Sequence, residues 1–255
     1  MPLTRDLPAS VVVITGGSGG IGAATALRLA RRGAAVVLGA RREAAMSDVV
    51  AACRGAGGRA VAVPVDVTDP AALVALGQRA IEEFGRLNAW INNASVTAYG
   101  TFTDLPVDEF RRVIETNLLG VAYGTRTAIT HLRAAGGGVI VNVASVLGEV
   151  TVPYQSAYNT AKHAVRALSG TVRQELRLTN DQNISVCCYP RRSTHRSTAT
   201  PPTAPVCGSR PSRPSTRPRW PPGASFSCSN TRDPKHTSAG RARCWRGSGA
   251  WPRGR

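Results

Sequence analysis

The chain has 255 residues, long enough for one α/β domain with a full apolar core. Its formal charge of +17 invites a nucleic-acid reading. However, residues 1–190 carry 18 basic and 14 acidic side chains, and residues 191–255 carry 14 and 1, so the excess sits in the last quarter and disfavours a nucleic-acid-binding body. No apolar run reaches the roughly 20 residues that span a membrane, and no signal-peptide pattern opens the chain, so a cytoplasmic protein without membrane contact is expected.

Residues 11–14, Val-Val-Val-Ile, read as a buried parallel strand. The strand runs into Thr15-Gly16-Gly17-Ser18-Gly19-Gly20-Ile21-Gly22 and then a helical pattern. Strand, glycine loop and helix form the context of a phosphate-binding turn: glycines allow a sharp bend and close approach, and the helix N-terminus offers free N–H groups. Residues 35–38 form the next strand, followed by Arg41 and Arg42. A carboxylate there would accept hydrogen bonds from ribose hydroxyls. Two arginines either clamp a 2′-phosphate, favouring NADP over NAD, or simply open the next helix in solvent.

A third strand over residues 60–65 ends in Asp66-Val67, where Asp66 caps either an adenine pocket or a helix. Asp69-Pro70 opens a helix to about residue 84. Residues 88–91 make a fourth strand, leading into Asn92-Asn93-Ala94-Ser95. Amides at a strand end can lock neighbouring backbone and line a cofactor groove, and they are also common in plain turns. Residues 108–132 read as one long helix with Asn117 in its middle, a locally unfavourable place for an amide.

Residues 139–143 form a fifth strand, followed by Ser145, and a helix over residues 155–178 bears Tyr158 and Lys162. Positions i and i+4 share a helix face, so the phenol and the ammonium point the same way. Lys162 is the only lysine among the first 190 residues, against seventeen arginines. A compact ammonium can shift its pKa where a guanidinium cannot. Residues 184–188 give a sixth strand, and the alternation specifies a doubly wound parallel sheet of the Rossmann type. The six cysteines have no metal or redox spacing and read as reduced thiols.

These motifs in this order resemble the short-chain dehydrogenase/reductase family over residues 10–190: the glycine motif from Thr15 to Gly22, Asp66-Val67, Asn92-Asn93-Ala94, and Asn117 with Ser145, Tyr158 and Lys162. One departure is Ser95, where the family usually has glycine. The resemblance implies an NAD(P)-dependent oxidoreductase, NADP-preferring with NAD as the alternative, that interconverts a small-molecule secondary alcohol and a carbonyl. It implies that Thr15, Gly16, Ser18, Gly20, Ile21, Gly22, Arg41, Arg42, Asp66, Val67, Asn93, Ala94, Tyr158, Lys162 and Pro190 contact the dinucleotide. Tyr158 is then the acid/base, Ser145 holds the substrate oxygen, Lys162 lowers the tyrosine pKa and binds the nicotinamide ribose, and Asn117 positions a water in a proton relay. The chemistry needs the cation. Free tyrosine titrates near about 10, and a charge about 4 Å away at an effective dielectric of about 20 favours tyrosinate by about 4 kcal/mol, roughly three pKa units before desolvation. A homo-oligomer, if formed, pairs the helices around Asn117 and Tyr158, as in relatives.

After Pro190 the pattern stops. Residues 191–255 contain thirteen arginines, ten prolines and ten serines, and Val206 is the only Val, Leu, Ile or Met. Such a composition predicts a disordered tail rather than a core, without the usual C-terminal strand and helices. GC-rich codons read out of register yield this mixture, so a shifted reading frame beginning near residues 188–191 is expected. An arginine-rich nucleic-acid-binding tail is the rival reading, lacking repeats or interleaved aromatics to support it.

Overall fold

The computed structural model describes residues 7–179, 181 and 183–189, all within a compact unit spanning Met1–Arg196. Six strands, β1 (Val11–Thr15), β2 (Ala35–Ala40), β3 (Arg59–Pro64), β4 (Ala89–Asn92), β5 (Gly138–Val143) and β6 (Ile184–Tyr189), form one parallel sheet. Their order is β3-β2-β1-β4-β5-β6, so the chain reverses its direction of travel between β1 and β4. That reversal opens a crevice at the carboxyl ends of β1 and β4, where open α/β sheets bind ligands. The expected doubly wound Rossmann architecture is thus observed.

The apolar strands are buried on both faces. Along β1, Val11 and Val13 enter one core cluster and Val12 and Ile14 the other. Along β2, Ala35 and Val37 alternate with Val36 and Leu38 in the same way. This period of two splits each strand between two helical layers. Helices α1 (Gly20–Ala30) and α2 (Ala44–Gly55) cover one face through Ala26, Ala30, Met46, Val50 and Cys53. Helix α3 (Pro70–Phe84) covers the other through Leu73, Leu76 and Ala80, joined by Ala128, Leu132 and Leu176 from elements described next. Asp69 caps α3 by accepting from Ala71 N at 2.8 Å, Pro70 occupies its first turn, and Gly85 closes it at φ 76°.

The single helix expected over residues 108–132 is instead three segments: α4 (Val107–Ile114), a π-helical turn (Glu115–Leu119) and α5 (Gly120–Ala134). The backbone stays helical throughout. Within the wide turn the bonding lengthens to i→i+5, with Gly120 N donating to Glu115 O. Asn117 sits in this turn, fully buried. Helix α6 (Ser156–Leu178), close to the expected bounds of 155–178, packs behind β5 and β6. Pro190 and residues 191–255 lie outside the described residues. Among the described residues, no helix is long and apolar enough to cross a membrane.

Candidate active site

Two motifs far apart in sequence, the glycine turn and Asn93-Ala94, meet at the ends of β1 and β4. Gly16 adopts φ +68°, and a Cβ there would lie 2.8 Å from Ala94 Cα, so the backbone itself is the contact surface. A Cβ on Gly22 would strike the Gly16 carbonyl. Asn93 closes the arrangement: its Nδ2 donates to Thr15 O and Gly16 O, both at 3.1 Å. Thr15 Oγ1 accepts from Asn93 N at 3.1 Å and Ala94 N at 3.2 Å. The amide of Asn93 therefore locks the glycine turn, and the turn is tied to β4 by four hydrogen bonds.

A cleft of about 400 Å³ opens beside this turn. Of the residues singled out in the sequence, Gly16, Ser18, Arg41, Arg42, Asp66, Val67 and Ala94 line it. Thr15, Gly20, Ile21, Gly22 and Asn93 do not: they shape the turn or the first turn of α1, where Ile21 is 67% exposed. Asp66 does not cap a helix; Asp69 does. Asp66 Oδ1 accepts from Thr68 N at 2.9 Å and Thr68 Oγ1 at 2.8 Å. The Thr68 backbone N–H is the main cause of its lowered pKa, with the Arg41 charge adding to it. Arg112, Glu115 and Thr116 also line the cleft. No sequence motif marks them: Arg112 lies at the end of α4, and Glu115 and Thr116 open the π turn that the sequence pattern hides.

Ser145 ends the loop after β5 and caps a short 3-10 turn (Val146–Gly148), its Oγ accepting from Leu147 N at 3.1 Å. That bond uses the oxygen as acceptor and leaves the hydroxyl proton to donate elsewhere. Lys162 is 2% exposed, and its Nζ donates to Val143 O at 2.8 Å. Burial lowers the pKa of this ammonium to about 8, opposed by the nearby Cys188 thiol. Nζ lies 5.5 Å from the centroid of the half-buried Tyr158 ring, so the i,i+4 pair shares a face as expected. The ring packs with Val96, Ala98, Leu105, Phe110, Val113 and Ala157.

Asn117 accepts from Val96 N at 2.8 Å through Oδ1 and donates to Val96 O at 2.7 Å through Nδ2. This two-way clamp holds the strand-like loop after Ala94 against the π turn. Tyr154, the other tyrosine near the helix start, stands apart: it is 63% exposed at φ 65°. Among the described residues, no group of three His, Cys, Asp or Glu side chains is placed to hold a metal ion.

Residues 10–202 match the family model described as short chain dehydrogenase. The chain belongs to that family. It is 48% identical over 160 residues to the cis-4-hydroxycyclohexanecarboxylate dehydrogenase of Sinomonas cyclohexanicum, which covers 62% of this chain and 64% of that relative. It is 37% identical over 173 residues to the uncharacterized oxidoreductase YxnA of Bacillus subtilis strain 168, covering 68% of this chain and 49% of YxnA. The chain thus aligns with only about half to two thirds of the length of these relatives. Among solved structures, a short chain dehydrogenase/reductase from Burkholderia phymatum in complex with NAD superposes with a TM-score of 0.69 at 32% identity, covering 72% of this chain and 66% of that one. An NAD+-bound xylitol dehydrogenase gives 0.67 at 31% identity, with 72% of each chain covered.

Proposed function

We propose that this short chain dehydrogenase scaffold serves an NAD(P)-dependent oxidoreductase that interconverts a secondary alcohol and a carbonyl, with Tyr158 as acid/base. The observation that carries the reading is the buried Lys162 ammonium 5.5 Å from the Tyr158 ring, beside the Ser145 hydroxyl loop. The dinucleotide, when bound, supplies or takes up the hydride. Its fit rests on the glycine turn: side chains at Gly16 and Gly22 would strike Ala94 and the Gly16 carbonyl, so glycine keeps the turn tight and leaves bare Gly16 backbone on the wall of the cleft. Thr15, Gly20, Ile21 and Asn93 hold that turn, and Ser18, Asp66, Val67 and Ala94 line the same wall.

Each side chain then has a task. Ser145 donates its free O–H to the substrate oxygen. Tyr158 delivers a proton to the developing alkoxide, or removes one in the oxidative direction. Lys162 stabilises tyrosinate by its charge and contacts the nicotinamide ribose. With one donor and one acceptor of its side chain committed to Val96, Asn117 serves the proton relay by fixing the loop and turn that hold water. Relatives that act on cyclohexanecarboxylate alcohols and xylitol support a secondary alcohol as the substrate class.

Arg41 and Arg42 stand where β2 meets the cleft, and no carboxylate accompanies them before Glu43. We assign them to the 2′-phosphate of NADP, with NAD as a weaker ligand. Fluorescence titration tests this assignment. Replacing both arginines with Ala should weaken NADPH binding at least about tenfold and leave NADH nearly unchanged. Equal loss for both dinucleotides would contradict it.

A second reading is favoured by residues 191–255. We propose that residues 1–190 form the Rossmann-type catalytic unit and that residues 191–255, the last quarter of the chain, are its C-terminal segment translated out of register. A 160-residue alignment makes up 64% of the Sinomonas relative, so that relative is about as long as this chain, and the family model matches only as far as residue 202. The genetic code sharpens the point. A shifted codon takes the last base of one codon and the first two of the next, so the residues present dictate two of its three bases. With TCN codons, Ser193 and Ser197 each force Phe, Leu, Ile or Val into the shifted frame. The stretch from Arg192 to Thr203 is compatible with Val-Asp-Thr-Pro-Leu-Tyr-Arg-His-Ala-Ala-Asn. The shifted codon across Thr194 and His195 is NCA, which admits threonine beside Ser, Pro and Ala, shortly after Pro190 where the family places a threonine near the nicotinamide carboxamide. On this reading the chain as translated binds dinucleotide without efficient turnover. Turnover on a carbonyl panel comparable to that of a frame-restored protein would contradict it.

A further inference from the structure

Behind the catalytic helix, a line of buried polar side chains crosses the sheet. Trp90 Nε1 donates to Asn92 Oδ1 at 2.7 Å. Asn92 Nδ2 donates to Asn142 Oδ1 at 2.9 Å and to Thr125 Oγ1 at 3.2 Å, and Thr125 Oγ1 donates to Asn142 Oδ1 at 3.2 Å. Asn142 Nδ2 donates to Ser169 Oγ at 2.9 Å, and Ser169 Oγ donates to Val165 O at 2.7 Å. None of these five side chains is more than 2% exposed. Cys188 on β6 stands beside Ser169.

Apolar residues of the same volume would fill this space without polar groups to satisfy, so the network calls for an explanation. The backbone is shaped to admit it: a Cβ on Gly124 of α5 would collide with Asn92 Oδ1 and lie 3.1 Å from Trp90 Nε1. The network ends where the site begins. Asn142 is the residue before Val143, whose carbonyl receives Lys162 Nζ at 2.8 Å. Ser169 follows Lys162 by seven positions, two turns along the same buried stripe of α6. Strand β5 is thus fastened to α6 twice, at adjacent strand residues: once by the network and once by the lysine.

We infer that Asn142 and Ser169 are positioning residues that hold β5 against α6, so that the Val143 carbonyl keeps the Lys162 ammonium buried beneath Tyr158. Neither residue touches the cleft. They act through the register of strand and helix, and the hydrogen bonds from Asn92 and Thr125 keep the Asn142 amide from rotating. The inference rests on the proposed role of Lys162, but its test does not require turnover. Among the described residues, the charged and titratable groups around Lys162 are the Tyr158 phenol on the same helix and the Cys188 thiol on β6, with Arg166 and Arg173 of α6 acting on that thiol.

The chain has two lysines, Lys162 and Lys235, so carbon-13-labelled lysine gives two titrating resonances, assigned with Lys235→Arg. In the unmodified chain Lys162 should titrate near pH 8. Ser169→Ala should release β5, rehydrate the ammonium and raise its midpoint by about one unit or more toward the ordinary lysine range. Ser169→Thr retains the hydroxyl and should keep the low midpoint. Val50→Ala, a core truncation on the opposite face, should lower stability and leave the midpoint unmoved. If Ser169→Ala yields no folded protein, Ser169→Cys makes the same comparison with a weak hydrogen-bonding group of similar size. An unchanged midpoint in Ser169→Ala, or in Ser169→Cys where it stands in, overturns the inference, as does an equal rise in Val50→Ala. Absence of turnover in a frame-restored chain would instead sink the oxidoreductase reading and leave this result standing.

Discussion

Tyr158 and Lys162 illustrate what a single spacing can convey. Their i,i+4 separation and the solitary lysine among seventeen arginines marked them before any coordinates. The spacing does not show which acceptor the ammonium takes. Val143 O is nineteen positions away and becomes its partner only through the parallel layering of β5 and α6. Burying that charge has a cost whose sign is testable. Lys162 titrates near 8 in the folded chain against 10.5 for the free side chain. Below pH 8 both folded and unfolded states carry the proton, and burial of the ammonium weighs fully against folding. Between 8 and 10.5 the folded state sheds the proton while the unfolded state keeps it, so stability rises with pH. Lys162→Met removes this dependence. Urea melts should find the variant more stable than the parent at pH 7, by on the order of 3 kcal/mol before any loss of packing, with the gap closing toward pH 10. A gap that is independent of pH would contradict the buried ammonium.

At the level of elements, most strands and helices were legible because apolar periodicity survives burial on both faces. The exception is the helix bearing Asn117. A π turn adds one residue to one turn of a continuous helix, and a heptad-scale pattern hides so small an insertion. Its purpose becomes visible only with Val96, twenty-one positions upstream, clamped through N–H and C=O by one amide. The locally poor placement of Asn117 in mid-helix was the available hint, and tertiary hydrogen bonding overrides that propensity. Asn117→Ala strands both Val96 groups and should cost about 1–3 kcal/mol. Faster amide hydrogen exchange at Val96 and Ala98 should accompany the loss. Wild-type exchange there would show that the clamp contributes little.

For the whole molecule, residues 1–190 and residues 191–255 differ in composition at a sharp boundary, and similarity to relatives covers 62–68% of the chain in the two alignments described. The six-stranded order β3-β2-β1-β4-β5-β6 places the crevice between β1 and β4, so the glycine turn, the Asn93 lock and the arginines after β2 converge there. Fold class could therefore be read from three quarters of the sequence. Substrate choice could not, because the family resemblance puts much of a substrate wall after Pro190, where the sequence carries no legible pattern. Sequencing the locus across codons 185–195 should find one base lost or gained relative to the register of relatives. An intact frame with a shared tail in close relatives would refute that history.

The account as a whole turns on the phenol. In the frame-restored protein, Tyr158→Phe should keep its fold and its affinity for NADPH, yet lose turnover on any accepted carbonyl by at least about 100-fold. Turnover within a few-fold of the parent would show that Tyr158 does not move the proton.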